Sequence, residues 1–445
     1  MGGSTMHIVI KNDIEITNPN TAVVKWVAEH LIINNPDFLI AQKLGRYTAH
    51  MEQKLKLFTR DVNVITLPFG CLKSVFALRD KVNDTYVVQI SPFKGNKLTG
   101  SINLYDYQQN AVARLLEAKN GVLVAPCGSG KTQMGLELIK RVGGKALWLT
   151  HTKKLLTQSK ERCESNFSGD FGTITEGKVS IGRDITFATV QTLSKVDPRV
   201  YQKAFDIVVV DEAHHCTGSP TKVKMFYKVL SNINCRYKYG LTATPKKGEL
   251  GETMFYILGD KVYEISEEMV GDKIIKAKHV PVFIDIKYEH DKYLSGDGML
   301  DFGALVSMLS GNTQRNELIA KQVMANTHFK QLILCHRVAQ VKALCELIGS
   351  GAVAIYGAIS AKKRNFETSN IIVATYALAK EGLDIPSLSV LHLATPIKER
   401  GMVRQCVGRV ERNVIGKSEP LVYDYVDTEI AYCMGCYTKR KNILK

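Results

Sequence analysis

Short β-branched or apolar runs alternate with longer helix-compatible stretches from about residue 120 onward, and the whole alternation occurs twice. The first series, GVLVAP, KALWLT, DITFATV, FDIVVVDE and YKYGLTAT, lies within residues 120–245. The second, QLILCH, AVAIYGA, NIIVATY, SVLHLA and LVYDYVD, lies within residues 331–427. Runs that are apolar throughout belong to strands buried on both faces, and parallel strands joined by crossover helices are buried in that way. The pattern therefore predicts an α/β chain with two tandem parallel-sheet domains and a cleft between them. A length of 445 residues, too much for one core, agrees.

The first hundred residues differ in kind. HIVIKNDIEI reads as two short strands around an Asn-Asp turn, and TAVVKWVAEHLI as an amphipathic helix capped by Asn20 or Thr21. The expected organisation is a small α+β accessory domain over 1–100, a first α/β domain over 101–262, and a second over 263–445. Within the last, about 260–312 reads as a linker with a small insertion.

Hydrophobic content of 45% with 23% charged residues describes a globular chain. No apolar run reaches the length of about 18 that a membrane span needs. The start, MGGSTMHIVI, lacks the pattern of a secretory signal. Ten cysteines are scattered, several in strand-like segments, which favours free thiols in a reducing compartment. Cys433 and Cys436 have zinc-like spacing but no second pair, so no metal is assigned to them. The net charge of +16 points to a polyanionic partner, nucleic acid before others.

The chemistry begins at APCGSGKT, residues 125–132, between the strand GVLV and the helical run QMGLELIKRV. Small residues there let backbone N–H groups wrap phosphate, and the helix N-terminus adds positive potential. Gly128, Ser129 and Gly130 form the cradle, Lys131 reaches the outer phosphates, and Thr132 is a ligand for Mg²⁺. Ala125 replaces the first glycine of the strict pattern. The strand VVVDEAHH ends in carboxylates because nucleotide and metal sit at the carboxyl edge of such a sheet. Asp211 is expected to hold the magnesium shell and Glu212 to orient and deprotonate the attacking water. In the second domain, RQCVGRVER offers Gln405 to the nucleotide pocket and Arg409 and Arg412, at helical spacing, to stabilise charge on the transferring phosphoryl group. Gly382 and Asp384 in AKEGLDIP would complete the pocket.

In chain order YDYQ, APCGSGKT, LTHTKKLLTQ, ATVQTL, DEAHH, LTATP, LILCHR, ATYALAKEGLDIP and QCVGRVER resemble the motifs of superfamily 2 helicases and translocases of the DEAH/DExH type, over about residues 104–412. Within that superfamily, YDYQQ, the short second domain and TQRNELI look most like DNA branch-remodelling helicases, small phage members included. The resemblance implies two RecA-like P-loop domains that grip a strand and step along it as ATP is hydrolysed. Gln108 would be an adenine-side residue, and His214, Thr242 and Thr244 would couple the nucleotide to the strand. Strand contacts would come from Thr150, Thr189, Gln191 and Thr192, then from His336, Arg337 and Thr375. The expected cofactors are ATP and Mg²⁺, the partner branched or forked DNA with no membrane, and the state a monomer, with replication or repair partners conceivable, in the cytoplasm of a bacterium or phage-infected host. RNA unwinding, an ATP-switched binding protein, or a motor subunit without unwinding of its own are the alternatives.

Overall fold

The computed structural model describes residues 5–79, 84–217, 219–271, 275–296, 298–357, 369–377, 385, 387–411 and 417–444. They divide into two compact units, one up to Met269 and one from Val270.

The first unit is built on a sheet in the order Lys178–Ser180, Phe171–Thr175, Ile185–Thr189, Ala146–Thr150, Ile207–Asp211, Tyr237–Thr242, Asn120–Val124 and Lys261–Glu264. Neighbours are parallel, except for the antiparallel pair at the Lys178–Ser180 edge. Each of the five apolar runs read from the sequence is a strand of this sheet. Ile185–Thr189, Ile207–Asp211 and Ala146–Thr150 are buried along their whole length, which is why these runs carry no polar alternation.

A second, five-stranded sheet carries the N-terminal part, in the order Thr59–Asp61, Val64–Leu67, Ile14–Thr17, His7–Ile10 and Thr85–Val88. The helix Thr21–His30 begins at Asn20, whose side-chain oxygen accepts the Val23 N–H at 2.9 Å. This layer is fused to the α/β sheet. Ile8, Ile14, Val23 and Val75 share one apolar cluster with Val208, Phe226, Met254 and Leu258. Beneath it, the buried Lys238 donates to the carbonyls of Asn12 at 2.6 Å and Leu230 at 3.1 Å and stands 4.7 Å from the Phe69 ring centroid. Asp13 accepts from the Tyr227 hydroxyl at 3.2 Å.

The second unit holds a fully parallel sheet in the order Lys278–Ile284, Leu421–Asp427, Val390–Leu393, Gln331–Cys335, Ile371–Thr375 and Ala352–Ile355. Here the reading of 260–312 as linker plus insertion needs correction. Lys261–Glu264 closes an edge of the first sheet, Lys278–Ile284 is an edge strand of the second, and Phe302–Gly311 is a helix capped by Asp301. Pro281 is tolerated in that strand because it lies at the edge of the sheet. All ten cysteines are free, and no described helix is long and apolar enough to cross a membrane.

Candidate nucleotide site and nucleic-acid face

The strand Asn120–Val124 runs into the loop 125–130 and then the helix Lys131–Val142. Ala125 continues the strand, its N–H donating to Thr242 at 2.9 Å, with its methyl fully buried. Its φ is not in the left-handed region, so alanine replaces glycine there without strain. Gly130 differs. At φ +83° a Cβ would stand 2.3 Å from Gln108 Nε2, so only glycine fits where the loop turns into the helix. Ser129 is buried with its hydroxyl donated to Pro126 O at 2.8 Å, and Lys131 Nζ donates to the carbonyls of Ala125 at 3.3 Å and Pro126 at 3.4 Å. Gly128 is left-handed and Thr132 lies in the first turn of the helix.

Gln108 takes a different place from the one expected. Its Oε1 accepts the Tyr105 N–H at 2.9 Å as half of a capping box, and its Nε2 donates to Ser129 O at 2.8 Å. With the side chain 3% exposed and its amide spent inside the protein, Gln108 braces the loop from behind instead of facing a base.

Asp211 ends the strand Ile207–Asp211 opposite Leu241. Burial, reinforced by the neighbouring Glu212 charge, pushes its carboxyl up to about 7, while Lys131 and Arg162 pull the other way. Glu212 adopts φ +50°, uncommon for a residue with a side chain and a form of strain that gathers at functional sites. Its Oε2 is buried and makes no hydrogen bond, although His214 Nδ1 lies 3.3 Å away. His214 Nδ1 is also 3.1 Å from Thr242 Oγ1, which accepts the Thr244 N–H at 3.3 Å. The three residues read as coupling groups are thus one hydrogen-bonded chain from the carboxylate loop to the end of the next strand. Burial holds the His214 imidazole below its ordinary range.

Two histidines were left unassigned by the motif reading. His151 and His215 stack at 3.3 Å between centroids and 27° between planes, and His215 is 4.3 Å from the His214 ring. Burial holds both below the ordinary imidazole range, His151 at about 4. This stack joins DEAHH to LTHTKK. The doubled histidine was a visible signal, but its partner is 64 positions upstream, so only the fold shows the contact.

The expected strand contacts separate into two groups. Gln191 is exposed and donates to His151 O at 2.8 Å, and Thr192 is partly exposed, its hydroxyl accepting from Thr189 at 3.0 Å. Thr150 needs correction, because it is fully buried and its hydroxyl donates to Thr152 O at 3.1 Å. Thr189 is nearly buried. In the second unit, His336 is anchored to Thr395 Oγ1 by its N–H at 3.1 Å and its Nδ1 at 2.7 Å, and Arg337 is exposed and donates to Gly303 O at 2.9 Å. Thr375 ends its strand nearly buried. Gln405 lies in the helix Arg400–Val407, which ends at Gly408, and Arg409 lies in the turn after it. Gly382, Asp384 and Arg412 lie outside the described residues.

A loop capped by a helix, a carboxylate pair two strands over, and a second parallel α/β sheet in the same chain define a tandem RecA-like P-loop nucleoside triphosphatase. The family model "Type III restriction enzyme, res subunit" matches residues 101–247. The chain is 32% identical over 371 residues to the DNA 3'-5' translocase XPB2 of Sulfurisphaera tokodaii, covering 77% of each chain. It is 26% identical over 394 residues to the putative ATP-dependent RNA helicase L396 of Acanthamoeba polyphaga mimivirus, covering 84% of this chain and 73% of that one. In fold it is similar to S. cerevisiae Dbp5 bound to RNA and ADP BeF3, with TM-score 0.58 at 14% identity over 77% of this chain and 88% of that one. The chain belongs to the superfamily 2 helicases, with helicases of bacteriophages among its relatives, and is an ATP-hydrolysing enzyme.

Proposed function

We infer that this enzyme is a DNA-stimulated ATPase that translocates on DNA and remodels forks and junctions. The observation that carries the reading is the continuous path from the carboxylates to the strand-facing surface: Glu212 beside His214, His214 on Thr242, and His215 stacked on His151, whose carbonyl holds Gln191. Such a path lets the state of the nucleotide bias a surface that touches a strand, which a motor requires. The net charge of +16 supports a polyanionic track.

In this reading Lys131 and the loop 128–130 bind the triphosphate, and Glu212 orients water and accepts its proton. The all-oxygen donors Thr132 and Asp211 suit a hard divalent cation, and Mg²⁺ held there would neutralise phosphate charge. Arg409 and Arg412 are assigned to the charge that develops on the transferring phosphoryl group. Gln191, Thr192, His336 and Arg337 would contact phosphates without reading bases. A second reading, unwinding of RNA, is favoured by the name of the mimivirus relative.

The test is ATP hydrolysis by the purified chain alone and with single-stranded, duplex and forked DNA, beside matched RNA. Stimulation by DNA with ATP-dependent opening of forks is expected. Stimulation by RNA alone would replace this reading with the second, and no stimulation by either would end both.

A further inference from the structure

Between the paired strands Ile32–Asn34 and Lys54–Lys56 the chain leaves the N-terminal layer and returns, forming an arm over residues 35–53. Its two ends are locked together. Asn35 N–H donates to Gln53 O at 3.0 Å, its Nδ2 donates to Glu52 O at 2.6 Å, and its Oδ1 caps the helix Pro36–Lys43 by accepting the Asp37 N–H at 3.0 Å. The base is tied to the P-loop sheet's own helices by Glu249, which accepts from Asn34 N at 3.1 Å, and by Lys224, which pairs with Glu52 at 2.7 Å. The helix ends in a Schellman turn, with Gly45 N–H on Gln42 O, Arg46 N–H on Ala41 O, and Gly45 left-handed at φ +63°.

The tip of this arm breaks the usual rule for surfaces. Ile40 is 55% exposed, Leu44 58% and Tyr47 77%, and Tyr47 stacks with His50 at 5.7 Å. A free-standing arm gains nothing by holding these groups in water, so they face a partner. Its charge says which. From Phe38 to Met51 there is no carboxylate, whereas Lys43 and Arg46 are exposed among the apolar residues, with Lys54 and Lys56 at the root. Apolar and aromatic faces set among unpaired cations suit bases flanked by phosphates.

We propose that the arm's tip binds DNA at the point where a duplex opens, with Tyr47, Leu44 and Ile40 packing on the terminal base pair or the first unpaired base and Lys43 and Arg46 holding the adjoining phosphates. The inference rests on the reading of the chain as a DNA motor and adds to it the element that recognises a junction.

The experiment uses the full chain and a fork carrying 2-aminopurine at its junction. Wild-type protein should change the 2-aminopurine fluorescence on binding. Tyr47→Ala combined with Leu44→Ala should abolish that change and weaken fork binding by about 5- to 50-fold, the range expected for loss of one or two stacked bases. ATPase stimulated by plain single-stranded DNA should stay within twofold of wild type, and Tyr47→Trp should retain the signal. Lys43→Glu with Arg46→Glu should lower the slope of log affinity against log salt by about 2. Unchanged fork affinity and fluorescence in the alanine variant overturn the proposal. So does a change of oligomeric state on sedimentation, which would make the tip a contact between copies of the chain, or loss of single-strand stimulation to the same extent as fork binding. Failure of wild-type ATPase to respond to any nucleic acid would strike the underlying reading instead, and is scored before the variants are compared.

Discussion

Arg315 sits in TQRNELI, the segment that resembles branch-remodelling helicases, yet the structure buries it completely. Its Nε donates to Asp427 Oδ1 at 2.9 Å, Nη2 to Oδ2 at 3.1 Å, and Nη1 to Ala394 O at 2.7 Å, while the Tyr288 hydroxyl adds a bond to the same carboxylate at 2.8 Å. Arg315→Ala would strip the charge partner from a carboxylate with no access to water, at a cost of about 3–5 kcal/mol. In a unit of this size that corresponds to a fall in melting temperature of roughly 6–20 °C for the transition of the second unit. The effect should reach function, because Ala394 precedes Thr395, the residue that anchors His336. Calorimetry would follow the transition, and the double variant Arg315→Met, Asp427→Leu supplies the control. Removing both charges together should recover most of the loss, since a buried ion pair is close to neutral against an apolar pair of similar volume. A shift of less than about 1 °C for Arg315→Ala would refute the claim that this pair holds the unit together.

Glu212→Gln should bind ATP and DNA but turn over at least about 100-fold more slowly in a steady-state ATPase assay, as loss of a general base demands. His215→Ala should leave basal hydrolysis in place and lower stimulation by nucleic acid by roughly 2- to 10-fold, the worth of one aromatic contact; His215→Phe should restore it. His392, buried between Tyr425 and Gln331 at 2.9 Å each, is held at about 3 by burial against an ordinary 6.5. Because its folded value is depressed, its contribution is complete above pH 6.5 and is lost as pH falls toward 3, by up to roughly 5 kcal/mol. Melting of the second unit should therefore drop steeply between pH 6.5 and 4, and His392→Phe should flatten that limb.

The sheets were legible because strands such as Ile207–Asp211 are buried on both faces and advertise it by unbroken β-branched runs. Lys278–Ile284 was not, since an edge strand needs no such run and Pro281 disguises it. At the candidate site, residue types pointed to the loop and the carboxylates, and the fold adds the contacts that link His214, Thr242 and Thr244. They could not foresee that Gln108 and Thr150 would spend their polar atoms on the protein itself, because hydrogen-bond partners 21 and 2 positions away are a property of packing. The His151–His215 stack was hidden for the same reason.

The bonds at Asn34–Glu249 and Glu52–Lys224 fasten both ends of the arm's root to helices of the unit that carries Lys131. A displacement of the helices Pro220–Ser231 and Glu249–Leu258 would therefore pass directly to the root of the arm.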